Sequence, residues 1–185
     1  MNNGAFLNHT KIKVKGSGNK IVLSSKCYLD HCLIQIYGND NIIFLDEQVV
    51  IHKGSLYMED NEGSITIGKK SLICGPSQIT TIEGKRVEIG KDSLFSSETV
   101  IRTGDSHSVL DISGKRINQS CDVVLGEHVW VGYRTMLLKG AYVSSNTVIA
   151  SGAVVTHRFE EQGIVIAGSP AKKVKGEINW SLERL

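Results

Sequence analysis

Proline is almost missing from this chain: 2 occur in 185 residues. Nothing in it reads as a proline-rich linker between domains, and 185 residues is within the size of one domain. Cysteine is sparse too, with four residues, Cys27, Cys32, Cys74 and Cys121, and no CxxC pair. Charge of one sign is lacking as well. The formal net charge is +2, so no basic surface for nucleic acid is indicated. The N-terminal MNNGAFLNHTKIK has no apolar signal region, and no later apolar run is long enough to span a bilayer. A reducing cytoplasm is therefore the expected location. The 19 glycines, by contrast, are enough to supply many corners.

What the chain has is a beat of six. From Leu125 to Val154 it reads LGEHVW, VGYRTM, LLKGAY, VSSNTV, IASGAV. An aliphatic residue opens each hexad: Leu125, Val131, Leu137, Val143 and Ile149. A small or β-branched residue stands fifth: Val129, Thr135, Ala141, Thr147 and Ala153. A helix repeats its apolar face every 3.6 residues and a strand every second residue, so neither gives a strict six. A solenoid of short flat faces does, with the aliphatic inward and the small residue beside it.

The beat recurs upstream. Leu23 and Leu29 are six apart, with Cys27 and Leu33 in the fifth place; Leu45 and Ile51 follow, with Val49 and Ser55. Ile67, Ile73 and Ile79 continue it, then Ile89, Phe95 and Ile101. Between these sets the step is not a multiple of six, and the gaps hold GNDN (38–41), MEDNEG (58–63) and EGKR (83–86), which is turn chemistry. The reading is one domain over 1–185: irregular coils over 1–66, regular coils over 67–101 and 123–157, and a C-terminal cap over 158–185. The polar stretch 102–122 is expected as a loop pushed out of the solenoid. The final EINWSLERL, with Ile178, Trp180 and Leu182, is read as an end cap or a subunit contact.

The repeat resembles the hexapeptide-repeat acyltransferases. That resemblance implies an all-β fold, the left-handed parallel β-helix with three hexads per coil. Three further features resemble the acetyl-CoA-dependent sugar acetyltransferases of that superfamily: His107 in IRTGDSHSVLD, Trp130 in VVLGEHVWVG, and the ending VIASGAVVTH…VIAGSPAKKVK. The DSH setting, the GKRIN segment and the long N-terminal coils look most like enzymes that acetylate bacterial surface polysaccharides or their precursors.

The resemblance implies His107 as general base. A sugar hydroxyl must lose its proton as it attacks the thioester, and an imidazole, with a reference pKa of about 6.5, accepts it at cellular pH. A backbone N–H at Gly132 or Tyr133 is implied as the oxyanion donor. No metal and no acyl-enzyme are required. Asp105 and Asp111 are candidates to orient the imidazole, against ordinary turn chemistry. Trp130 is expected along the wall of the acceptor and pantetheine site, against a subunit-interface aromatic. Asn118 either binds a sugar hydroxyl or caps the loop. Ser151 and Thr156 lie where the family's backbone lines the pantetheine arm. Lys172 and Lys175 match the basic positions that meet the coenzyme A phosphates. His157 departs from the lysine that many relatives carry there. Family members assemble as trimers with the site between neighbours, so a homotrimer is expected.

The leading function is acetyl transfer from acetyl-CoA to a saccharide hydroxyl. Its near rival is N-acetyl transfer to an amino-sugar nucleotide, with Asp105 or Glu127 available to take the ammonium proton. From other classes come a γ-type carbonic anhydrase, whose paired histidine spacing this chain lacks, and a non-catalytic solenoid.

Overall fold

A computed structural model describes residues 4–183. All described strands are two to six residues long, and no helix occurs among the described residues. The strands form three sheets, of nine, seven and seven. Face I starts with Phe6–Asn8, face II with Lys11–Lys15 and face III with Lys20–Leu23. Each later strand but the last pairs with the strand three before it, so the chain winds as a three-sided parallel coil. Only the last pair, Val165–Ala167 with Lys172–Lys175, is antiparallel.

The core is a stack of inward side chains, one per strand on face I and two per strand on faces II and III of the longer coils, as with Ile34 and Ile36 or Ile43 and Leu45. Leu23, Leu45, Ile67, Ile89, Leu125 and Val143 line face III from inside, and Leu29, Ile51, Ile73, Phe95, Val131 and Ile149 line face I. Val129, Thr135, Ala141, Thr147 and Ala153 are all buried in the fifth place, where a larger side chain would meet the coil above. Cys27 is fully buried, and burial raises its thiol pKa.

The N-terminal coils correct the expectation of irregular length. Tyr28 pairs with Val50, Val50 with Leu72 and Leu72 with Leu94, a constant period of 22. After the loop the period is 18, as in Trp130 with Val148, and the last coil is shorter still, with Tyr142 on Arg158 and Val148 on Val165. The long coils keep the step of six into face I. In the first two, the step from face I to face II is five: Leu29 to Ile34, and Ile51 to Leu56. Cys32 and Gly54 therefore occupy the buried fifth place, not Leu33 and Ser55. The surplus sits at the corner between faces II and III, where Asn19, Asn41 and Gly63 stack in register. Asn41 Nδ2 donates to Asn19 Oδ1 at 3.2 Å, and Gly63 N donates to Asn41 Oδ1 at 2.9 Å.

The corner between faces III and I is a column in the left-handed region: Lys26, Gln48, Lys70, Asp92, His128, Asn146 and Gly163 all have φ between 54° and 65°. Such a φ is unfavourable for a side-chain-bearing residue. It is offset here because the turned backbone aims its N–H along the coil axis, as Lys70 N to Glu47 O (2.9 Å) and His128 N to Lys91 O (2.8 Å).

Candidate active site

The stretch after Arg102 leaves the solenoid at the corner between faces II and III. It forms a small hairpin, a fold the sequence did not announce. Ile117 N donates to Val109 O at 2.9 Å, and Leu110 bridges Arg116. Asp111 builds the tip: its Oδ1 accepts from Ser113 N and Lys115 N, both at 2.9 Å. Asp111 is turn chemistry and does not orient the imidazole. Val109, Leu110, Ile112 and Ile117 are all exposed on this hairpin.

His107 lies exposed at the hairpin's base, and Asn118 holds the backbone there. Asn118 Nδ2 donates to His107 O at 2.7 Å and to Asp105 Oδ2 at 2.9 Å, while its Oδ1 accepts from Val109 N at 2.8 Å and Arg116 Nε at 3.2 Å. Two N–H groups and two lone pairs are the whole capacity of an amide. Asn118 is 8% exposed and saturated, so the saccharide contact expected of it gives way to loop capping. Asp105 is corrected likewise. Its carboxylate is taken by Lys139 and Asn118, and those two, in that order, hold its pKa below the usual carboxylate value. It positions the hairpin and does not bond the imidazole.

Two anchors were not foreseen. Lys139, from the coil above, also donates to Asn118 O at 3.2 Å. Glu83, from the coil below, pairs with Arg116 at 2.7 Å, which lowers the Glu83 pKa. The available signal was position: both stand at the corner from which the loop leaves.

A second group follows face I and its corner with face II. Trp130, 38% exposed, points outward in a column with Tyr28, Val50, Leu72, Leu94, Val148 and Val165. Gly132 is corrected as oxyanion donor, because its N–H already donates to Ile149 O at 2.8 Å. The Tyr133 N–H has no backbone acceptor among the described residues. Tyr133 Oη donates to Glu98 at 2.8 Å. Ser151 is exposed one coil further on, at the same corner. Lys172 and Lys175 are exposed on the last strand, where a register shift lets them oppose Ala167 and Val165, two residues on one side. Lys173 between them is paired with Glu161 at 2.7 Å. Thr156 belongs with the other group, at the corner between faces II and III, its hydroxyl 3.3 Å from His157 Nδ1.

The tail does not simply cap the end. The strand Lys172–Lys175 closes the edge of face I, and the chain then runs back along the corner column. Ile178 N donates to Gly163 O at 2.9 Å, and Trp180 Nε1 donates to His128 O at 2.8 Å. The Trp180 ring stacks on His128 at 4.1 Å and reaches within 6.0 Å of Trp130. Residues 184–185, part of the expected cap, lie outside the described residues.

One chain keeps the two groups apart. Face II lies between them, and its width over 134–138 is five extended residues, on the order of 15 Å.

No family model matches the chain. It is 34% identical over 107 residues to a polysialic acid O-acetyltransferase of Neisseria meningitidis, covering 57% of this chain and 50% of that protein. It is 31% identical over 91 residues to a polysialic acid O-acetyltransferase of Escherichia coli O1:K1 / APEC, covering 49% of this chain and 29% of that protein. The match thus spans half or less of the length of these curated relatives. The crystallographic structure of the polysialic acid O-acetyltransferase OatWY superposes with a TM-score of 0.87 at 28% identity, over 98% of this chain and 92% of that one. With its hexad repeat and three-sided coil, the chain is a homologue of the polysialic acid O-acetyltransferases, built as a hexapeptide-repeat left-handed β-helix.

Proposed function

We propose that the protein transfers acetyl from acetyl-CoA to a hydroxyl of a bacterial surface saccharide, in the cytoplasm, by direct attack within a ternary complex. The observation that carries this reading is the likeness to the OatWY enzyme along nearly the whole chain. The hairpin that holds His107 at the surface supports it.

In this mechanism the His107 imidazole takes the proton of the acceptor hydroxyl as its oxygen bonds to the thioester carbon. The carbonyl oxygen becomes an oxyanion, received by the Tyr133 N–H. The carbon–sulfur bond then breaks, and the imidazolium returns the proton to the leaving thiolate. Such general-base work is worth about 10²–10⁴ in rate. Trp130 walls the site, the backbone at Ser151 and Thr156 borders the pantetheine arm, and Lys172 and Lys175 meet the coenzyme A phosphates.

The site is completed between copies of the chain, in a homotrimer. The separation of His107 from the Trp130–Tyr133 group supports this. So do the exposed aliphatics of the hairpin and the apolar outer column of face I, since contiguous exposed apolar surface marks interaction sites. Light scattering should give three chains per particle. A monomer with full activity would remove the shared site.

The deciding experiment incubates the protein with acetyl-labelled acetyl-CoA and a panel of polysaccharides and sugar nucleotides, polysialic acid included. Label released by mild alkali is an ester and supports the reading. Label that resists alkali is an amide and favours the amino-sugar alternative. No transfer to any saccharide sinks both.

A further inference from the structure

The fifth place of the hexad is filled in succession by Val129, Thr135, Ala141, Thr147 and Ala153. Valine and alanine pack there without a polar atom, so the Thr135 hydroxyl is surplus to the packing of the coil. A buried hydroxyl is unfavourable without a hydrogen-bond partner. Thr135 is fully buried, and its hydroxyl finds that partner three residues back, donating to Gly132 O at 2.7 Å. Thr147 differs: its hydroxyl reaches only Ser145 O, at 3.3 Å.

The bond to Gly132 O has a consequence on the other side of the same peptide. That peptide is trans, and in a planar trans unit the C=O and the N–H point in opposite directions. A carbonyl drawn into the coil therefore turns the Tyr133 N–H out of it, at the corner between faces I and II. That N–H has no backbone acceptor among the described residues. The next peptide is fixed as well, because Tyr133 O accepts from Gly152 N at 2.7 Å. Outside the coil, Glu98 accepts from Tyr133 Oη at 2.8 Å and from Arg134 Nε at 2.7 Å. Gly132 itself leaves no room for a side chain: a Cβ there would come 2.6 Å from Ser151 N. The donor thus stands on a segment held from inside, from the coil above and from outside.

We propose that Thr135 is the positioning residue of the oxyanion donor: from inside the coil its hydroxyl fixes the Gly132 carbonyl and so aims the Tyr133 N–H at the thioester oxygen. The proposal rests on the acetyl-transfer reading, in which that N–H receives the oxyanion. It gives a part in the reaction to a core side chain that touches neither substrate. An oxyanion donor acts by being aimed before charge develops, so that nothing need reorganise as the charge forms. Thr135 does the aiming through one peptide plane.

The test is the carbonyl band of bound acetyl-CoA, isotopically labelled at its thioester carbonyl and read by infrared difference spectroscopy. A donor aimed at the oxygen polarises the C=O and lowers its stretching frequency before any acceptor is present. The native protein should show that downshift. Thr135→Val and Thr135→Ala place residues of the kind already held at Val129, Ala141 and Ala153, so the coil should stand. Both variants should bind acetyl-CoA but lose most of the downshift. Their kcat should fall roughly ten- to a hundredfold while KM for acetyl-CoA holds, as for a donor out of aim rather than a lost binding contact. Thr135→Ser, which keeps the hydroxyl, should restore both. Thr147→Val, which removes the other fifth-place hydroxyl, should change neither. A downshift that survives in Thr135→Val or Thr135→Ala would overturn the proposal. So would an equal loss in Thr147→Val, because the effect would then belong to the packing of the coil. Acetyl-CoA that fails to bind the native protein overturns this proposal and the acetyl-transfer reading together, whereas a bound thioester whose band ignores Thr135 overturns this one alone.

Discussion

Asn118 gives one side-chain N–H to the backbone carbonyl of His107 at 2.7 Å and the other to Asp105 at 2.9 Å. A saturated, buried amide thus sets where the histidine's backbone stands, although the two residues are eleven apart in the chain. Asn118→Ala should leave the Val109 N–H and the His107 carbonyl without partners, a local loss of about 1–3 kcal/mol. Amides over 105–118 should exchange faster with solvent, and kcat should fall while KM for acetyl-CoA holds. Unchanged exchange would mean that Asn118 does not fix the hairpin.

His107→Ala should keep the fold and coenzyme A binding but lower turnover about 10²-fold or more. Turnover at the native level would take His107 out of the mechanism.

The hairpin should depend on pH in a predictable direction. Lys139 and then Asn118 hold the Asp105 pKa below its ordinary value. A carboxyl lowered in the folded state contributes stability above its unfolded pKa, about 3.9, and that stability is lost as pH falls through the folded value. Hairpin order should therefore persist at neutral pH and fade only in strong acid. Lys139→Met removes the larger cause, so the loss should begin at higher pH. Loop amide shifts followed against pH would show it; the same profile in both proteins would contradict the pairing.

Lys172→Ala combined with Lys175→Ala should raise KM for acetyl-CoA and affect dephospho-CoA less, with little change for the acceptor. These two cations carry no carboxylate among the described residues, whereas Lys173 is paired. An equal rise for the acceptor would argue against contact with the phosphates.

Phe95 is the largest fully buried side chain of the core. Phe95→Ala should destabilise by about 3–5 kcal/mol, read as a lower urea midpoint by tryptophan fluorescence. A shift of a few tenths would mean that the coils relax around the gap.

The solenoid was legible wherever one aliphatic per face recurred at six, as from Leu125 to Val154. It was misread where the chain takes five residues from Leu29 to Ile34, because a single shortened step moves the buried fifth place from Leu33 to Cys32. The 22-residue period was in the sequence, as the asparagines and glycines of 16–19, 38–41 and 60–63, but a rule of six passes over it. Of the candidate site, the position of His107 at the surface was readable, because only a polar stretch interrupts the coils. The partners of Asp105 and Asn118 were not. They come from Lys139 in the next coil and from the hairpin's own backbone, contacts that no local spacing encodes. Gly132 failed as a donor for a similar reason: its N–H belongs to the ladder that builds the fold.

The large variation in coil length falls at one corner. The surplus of the early coils and the hairpin with His107 both emerge between faces II and III, whereas the step from face I to face II changes only from five residues (Leu29 to Ile34) to six (Ile73 to Ile79). The corner between faces II and III is therefore a graft point. Foreign loops placed there in the coils away from the hairpin should leave the solenoid standing.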